Sequence, residues 1–208
     1  MTGRLISIEG GEGAGKSSVM AALRAALESR GLEVVQTREP GGTESGEAIR
    51  ALLLDPSRTL CAEAELLLMF AARAQLVREL IQPALARGAW VLCDRFTDAS
   101  YAYQGGGRGL DSGNIAELER WAAMIKPDLT FLLDVDVHQG HARLSARAGE
   151  RDRIERERED FFERVRATYL QRAAMEPQRF RVVDAGQSPE SVLRAALEQV
   201  DQVLAAWT

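Results

Sequence analysis

Near the start of the chain a lysine and a hydroxyl follow a run of glycines: Gly10-Gly11-Glu12-Gly13-Ala14-Gly15-Lys16-Ser17. The octet satisfies Gly-x-x-x-x-Gly-Lys-Ser/Thr, the phosphate-loop (P-loop) pattern, in full. Glycines let consecutive backbone N–H groups turn toward one anion, and a helix that begins at the lysine adds its positive end. Lys16 can then reach the β- and γ-phosphates of a nucleoside triphosphate, while the Ser17 hydroxyl can ligate Mg2+. Gly10, Gly11, Glu12, Gly13, Ala14, Gly15, Lys16, Ser17 and the adjoining Ser18 are the expected nucleotide-binding set.

Other residues narrow the chemistry. The apolar run Trp90-Val91-Leu92-Cys93 ends in Asp94-Arg95. A carboxylate followed by arginine suits metal or lysine positioning beside a phosphate-binding cation better than it suits water activation. A guanine-reading Asn-Lys-x-Asp is absent, because the only asparagine is Asn114 and no lysine follows it. Thr37-Arg38-Glu39-Pro40-Gly41-Gly42-Thr43 suggests a second, smaller anion site, with Arg38 either a phosphate contact or an ordinary loop arginine. Phe70 and Arg73 lie three apart and share a helix face, as a plane and a guanidinium for a base or as part of the core. His138 and His141 have no ligand set near them and read as surface residues.

These groups need a scaffold, and the apolar periodicity supplies one. Strand-like runs fall at 5–8, 34–37, 90–93, 129–135 and 181–183. Helical patterns fall at 16–29, 44–54, 62–86, 113–124, 138–147, 156–175 and 189–206, the last with Ser188 as N-cap and Pro189 at its first position. Strand–helix alternation predicts a parallel α/β sheet with helices on both faces, and the central runs are apolar on both parities. The P-loop then leaves the first strand and opens the first helix. Without repeats or a long linker, 1–208 reads as one domain with an excursion near 145–160.

Composition agrees with that frame. The 208 residues are 46% hydrophobic and carry 26 basic against 31 acidic side chains, a net charge of −5, which argues against disorder and against a broad nucleic-acid-polymer surface. Lysine occurs only at Lys16 and Lys126, so one of two falls at the position the phosphate loop demands. The two cysteines, Cys61 and Cys93, form neither a disulfide framework nor a metal-ligand pair. No apolar stretch reaches the ~18 residues of a membrane span. The expectation is a cytoplasmic protein with no membrane partner.

Several segments together resemble bacterial thymidylate kinase. They are 10–17, 37–43, Met69 to Arg73, Asp94-Arg95-Phe96, and Tyr101-Ala102-Tyr103-Gln104-Gly105-Gly106-Gly107-Arg108-Gly109. Asp152-Arg153-Ile154-Glu155 and Val183-Asp184-Ala185 extend the likeness over almost the whole chain. The resemblance implies a P-loop NTPase fold: a three-layer α/β/α sandwich with a five-stranded parallel sheet and a mobile lid at about 145–156. It implies ATP + dTMP → ADP + dTDP with Mg2+, and a homodimer. Another nucleoside monophosphate or deoxynucleoside kinase, or a non-catalytic ATP-binding module, is the alternative.

By the same resemblance, Glu9 is the acidic residue near the monophosphate and its metal, with Ser17 and Asp94 as the other metal positions. Arg95 matches the arginine on the dTMP phosphate. Phe70, in preference to Met69, matches the base-stacking residue, and Arg73 the one addressing a thymine carbonyl. Ser100, Tyr103 and Gln104 match positions around sugar and base, where the Tyr103 ring would crowd a ribose 2′-OH. Two features depart from the pattern: Phe70 is three residues from Arg73 where many members have four, and Ala148 is an extra lid residue. The P-loop itself has no arginine, so the resemblance is to the subclass that uses lid arginines. Arg147, Arg151 and Arg153 are the candidates, with Arg143 nearby, and 184–186 forms the expected edge of the adenine pocket.

Overall fold

β1 (Leu5–Gly10) is buried along its whole length. Ile6 and Ile8 belong to the core under α1 (Lys16–Glu28), whereas Leu5 belongs to the core on the opposite face. That two-sided burial is what the unbroken apolar runs predicted. The computed structural model describes residues 3–146 and 150–207. Arg147, one of the expected lid arginines, lies outside the described residues.

β2 (Val34–Arg38), β3 (Trp90–Asp94), β4 (Leu129–Asp134) and β5 (Phe180–Asp184) complete a sheet of order β2-β3-β1-β4-β5, with every neighbour parallel. The connection after β1 skips past β3 to β2 and the one after β3 passes to the far side of β1, so the strand order changes direction between β1 and β3, beside the P-loop. The carboxyl ends of β1, β2 and β3 deliver the P-loop, Arg38 and Asp94-Arg95 to one edge, where α/β sheets place their ligands.

α2 (Glu44–Leu54) begins at Thr43, whose hydroxyl accepts from Gly46 N at 3.0 Å. The long helical run expected at 62–86 is continuous but not uniform. It comprises α3 (Ala62–Leu76), a wider π-turn over Val77–Ile81, and α4 (Gln82–Ala86). Pro83 has no N–H to return to the carbonyl one turn earlier, and the helix widens just before it. α6 (Ser112–Leu118) also widens, over Glu119–Ala123, and stops at left-handed Met124. α7 (Val137–Ser145) starts on Asp136, which accepts from His138 N at 3.0 Å. α9 (Pro189–Trp207) starts where expected, with Ser191 N bonded to Ser188 Oγ at 3.3 Å.

One element was not anticipated. α5 (Thr97–Ser100) runs into a π-turn over Tyr101–Gly107, a segment given no element from the sequence and ending in three glycines. Those glycines permit the close approach of α8 (Glu159–Met175). A Cβ on Gly106 would run into Thr168 Oγ1 and lie 2.9 Å from Arg164 O; one on Gly107 would run into the Phe161 ring. Tertiary packing has overridden low helix propensity here. The same helical path carries Ser100, Tyr103 and Gln104 toward the sheet edge. No helix among the described residues is long and apolar enough to cross a membrane.

Candidate active site

The P-loop turns through left-handed backbone at Gly13 (φ 69°) and Gly15 (φ 88°), so that α1 opens at Lys16. Lys16 Nζ donates to the carbonyls of Gly10 (3.2 Å) and Gly11 (2.8 Å). Burial, with Arg95 beside it, lowers the Lys16 pKa; Glu12, Asp94 and Glu9 act in the opposite sense. Its charge is thus held over the loop, within the cleft and available to phosphate.

Arg95 sits in left-handed backbone at φ 70°, a conformation that costs a non-glycine residue about 1–2 kcal/mol. Three sets of contacts impose it. Its N–H donates to Ile8 O at 3.0 Å, and its carbonyl accepts from Cys93 Sγ at 2.9 Å. Its guanidinium donates to Gly10 O (3.2 Å), Tyr103 Oη (2.7 Å) and Glu12 Oε1 (2.6 Å). Tyr103 Oη also donates to Glu12, at 3.0 Å. Burial alone would raise the Glu12 pKa, but Arg95 and Lys16 bring it down to about 2. A P-loop carboxylate therefore occupies the arginine that the sequence pairs with a substrate phosphate.

A cleft of about 630 Å³ extends from the P-loop past Asp94 and Arg95 to Met69, Tyr103 and Gln104. Arg38 borders it and pairs with Glu47 at 3.0 Å. Arg50 and Arg143 also border it, and sequence reading had not assigned Arg50 any role. Arg50 donates to Pro40 O at 2.9 Å, and Arg143 donates to Ala185 O at 2.8 Å, linking α7 to the turn after β5. Nothing in local pattern separates such arginines from solvated ones.

Several expected contacts lie beneath the cleft rather than on it. Phe70 is 2% exposed and packs in the core, its ring 4.4 Å under the Arg73 guanidinium, whereas Met69 lines the cleft. One residue is about 100° of helix rotation, so the three-residue spacing to Arg73 turns Phe70 inward. Arg73 is completely buried, donating to Glu39 Oε2 (2.7 Å), Ser100 Oγ (3.0 Å) and Phe96 O (3.1 Å). It meets the cleft through Glu39, a wall residue whose Oε1 is buried without a partner. Burial raises the Glu39 pKa, with Arg73 acting against it.

Glu9 is also fully buried and off the cleft wall. It accepts from Phe96 N and Tyr169 Oη, each at 2.7 Å. Burial, reinforced by the Asp98 charge, pushes its pKa up to about 8, while the Tyr169 hydroxyl, the Arg95 charge and the Phe96 N–H pull the other way. Of the described lid arginines, Arg153 borders the cleft, held by Leu53 O and Glu65 Oε2 at 2.7 Å each. Arg151 donates to Ser145 Oγ at 2.6 Å.

For Mg2+ the fit is mixed. Asp94 Oδ1 is buried with no hydrogen-bond partner, and Ser17 lines the same cleft. These oxygen donors suit a hard ion that takes most of its ligands from water and phosphate. Glu9 lies off the cleft wall, each of its oxygens already accepting a hydrogen bond, from Phe96 N and from Tyr169 Oη. The described residues contain no cluster of three or more His, Cys, Asp or Glu able to hold a metal unaided.

The comparisons with known proteins agree with this geometry. A family model described as thymidylate kinase matches residues 8–196. Thymidylate kinase of Chromohalobacter salexigens is 56% identical, covering 99% of both chains. That of Alcanivorax borkumensis is 54% identical, with 100% of both covered. The crystal structure of thymidylate kinase from Ehrlichia chaffeensis superimposes with a TM-score of 0.79 at 31% identity, over 98% of this chain and 100% of that one. The likeness runs from the P-loop to the last helix, and the chain belongs to the thymidylate kinase family.

Proposed function

We infer that the chain is an ATP:dTMP phosphotransferase that moves the γ-phosphoryl group of ATP to dTMP and supplies dTDP for dTTP synthesis. The observation that carries this is the placement of Arg95. Its guanidinium is 3.2 Å from the Gly10 carbonyl, so a second phosphate-binding cation adjoins the triphosphate loop.

The attacking group is an oxygen of the dTMP phosphate, already ionised, so no general base is required. It forms a bond to the γ-phosphorus as the bond to the β-phosphate oxygen breaks, giving dTDP and ADP. Bringing two polyanions together demands positive charge and positioning. Lys16 and the loop N–H groups hold the triphosphate, and Arg95 takes the dTMP phosphate when Glu12 releases it; Arg38 and Arg50 add charge at that end. Ser17 and Asp94 would hold Mg2+, which neutralises phosphate charge when bound. Loop positions Gly11, Glu12, Gly13 and Ala14 supply no arginine. Arg147, Arg151 or Arg153 is the cation over the transferring group, in a lid at about 145–156 that closes to exclude water.

At the other end Met69 forms the wall against the base, Arg73 acts through Glu39 and Ser100, and Gln104 borders the base site. The Tyr103 ring leaves no room for a ribose 2′-OH. We further propose that 1–208 is one domain, that the protein is cytoplasmic, and that it is a homodimer. Exposed Leu67 on α3 and exposed Trp121 and Met124 on the helix packed against it support the dimer. A coupled ADP-release assay with ATP, Mg2+ and a panel of nucleoside monophosphates tests the reading. Turnover should be fastest with dTMP; turnover with AMP or CMP but not dTMP contradicts it.

A further inference from the structure

Glu65, on α3, is 1% exposed and spends both carboxylate oxygens on side chains from elsewhere in the chain. Oε1 accepts from Gln104 Nε2 at 2.9 Å and from Arg108 Nε at 3.2 Å. Oε2 accepts from Arg108 at 3.0 Å and from Arg153 at 2.7 Å. Burial pushes this carboxyl up, yet the hydrogen bonds from Arg108 and Gln104, the Arg108 charge and Arg153 bring it below its ordinary value. It is an anion that can only accept.

That fact decides how Gln104 faces. A carboxylate takes the NH2 end of the amide; turned over, the Gln104 carbonyl would oppose it, acceptor against acceptor. The carbonyl must therefore lie on the other side. Gln104 Oε1 is buried without a hydrogen-bond partner, on a residue that lines the cleft with Met69 and Tyr103. Burying an acceptor unpaired is costly until a ligand brings a donor. Arg153, which shares Glu65, also donates to Leu53 O at 2.7 Å, fixing the stem of the lid.

We propose that Glu65 is a positioning residue: it locks the Gln104 amide with its carbonyl toward the cleft, so the base end selects a ring N–H donor, and it docks the Arg153 stem of the lid with the same carboxylate. The inference rests on the phosphotransferase reading above. A pyrimidine-2,4-dione meets the Gln104 carbonyl with its N3–H. Cytosine presents a lone pair at that position and is rejected. Glu65 borders the cleft with both oxygens already taken, and it acts through two of the side chains it holds, Gln104 and Arg153.

The test is the ratio of kcat/KM for dUMP to that for dCMP, substrates that share a sugar. It is measured in the wild type, Glu65→Gln, Gln104→Ala and the double variant, with Kd ratios from competition as a second readout. Damage to the fold lowers both substrates together and leaves the ratio alone. The ratio should fall about tenfold or more in Glu65→Gln, and Glu65→Gln should lower it no further once Gln104 is alanine. An unchanged ratio in Glu65→Gln, when Gln104→Ala does lower it, overturns the proposal. In the wild type, the Gln104 side-chain amide protons, assigned by their loss in Gln104→Ala, should be protected from exchange with and without dTMP. Unprotected amide protons in the free protein overturn it even if Glu65→Gln does not fold. Absence of dTMP turnover by the wild type strikes the phosphotransferase reading instead, and the Kd ratio still reports on Gln104.

Discussion

In the proposed mechanism, Glu12 and the substrate phosphate compete for Arg95. The arginine is bonded to the P-loop carboxylate at 2.6 Å, so a monophosphate must displace that carboxylate to bind. Arg95→Ala should raise the dTMP KM by about 100-fold or more, on the scale of a charge-assisted contact of roughly 1.5–3 kcal/mol together with the exposed partner. Arg95→Lys should recover little, because an ammonium cannot reproduce the fork that reaches Gly10, Tyr103 and Glu12 together; steady-state kinetics in dTMP check both. Lys16→Ala should lower kcat by about 100- to 1,000-fold with an unchanged melting temperature, and unchanged kcat would refute its role. Which residues were legible in the sequence follows the same physics. Lys16 and Ser17 were, because the spacing of the loop is itself the phosphate nest. That Met69 lines the cleft while Phe70 packs in the core was not, since both suit an apolar helix and packing alone decides which rotates inward. Arg50 was not, since an arginine on a helix shows its address only when the helix is docked.

The 97–107 helix teaches a different lesson. Gly105, Gly106 and Gly107 are poor helix formers, and the reason they are helical lies about sixty residues away in α8. Gly106→Ala places a methyl group against Thr168 and the Arg164 carbonyl. It should destabilise the protein by about 1–3 kcal/mol and lower the melting temperature by roughly 2–4 °C per kcal/mol. It should also weaken dTMP binding, because Tyr103 and Gln104 ride on the same turn; a melting temperature equal to wild type would refute the close approach. The strands, by contrast, were legible to within two residues, since two-sided burial writes itself directly as an apolar run. Glu65 ties this turn to α3 and to the lid, with a pH signature. Its folded pKa is depressed, so the stability it contributes is present above the unfolded carboxylate pKa of about 4.3 and is lost as pH falls through the folded value. Glu65→Gln should therefore flatten the acid limb of the stability profile. Parallel loss of stability below about pH 5 in variant and wild type would count against the network.

The whole molecule carries a net charge of −5 and yet is read as binding two polyanions. The resolution is local: Lys16, Arg38, Arg50, Arg95, Arg143 and Arg153 all border one cleft. Parallel topology gathers them by ending β1, β2, β3 and β4 at the same edge. Fold class, strand number and family were legible because they depend on long patterns; how the arginines divide between cleft and surface emerged only with the chain folded. The central claim, direct transfer from the P-loop nucleotide to dTMP beside Arg95, is tested most directly by 31P NMR of wild-type protein with ATP, dTMP and Mg2+. The account predicts that the γ-phosphate resonance of ATP decays as the two resonances of dTDP grow in equal proportion, with no inorganic phosphate, and that Lys16→Ala slows the transfer by about 100- to 1,000-fold. Release of inorganic phosphate with dTMP left unchanged would contradict it.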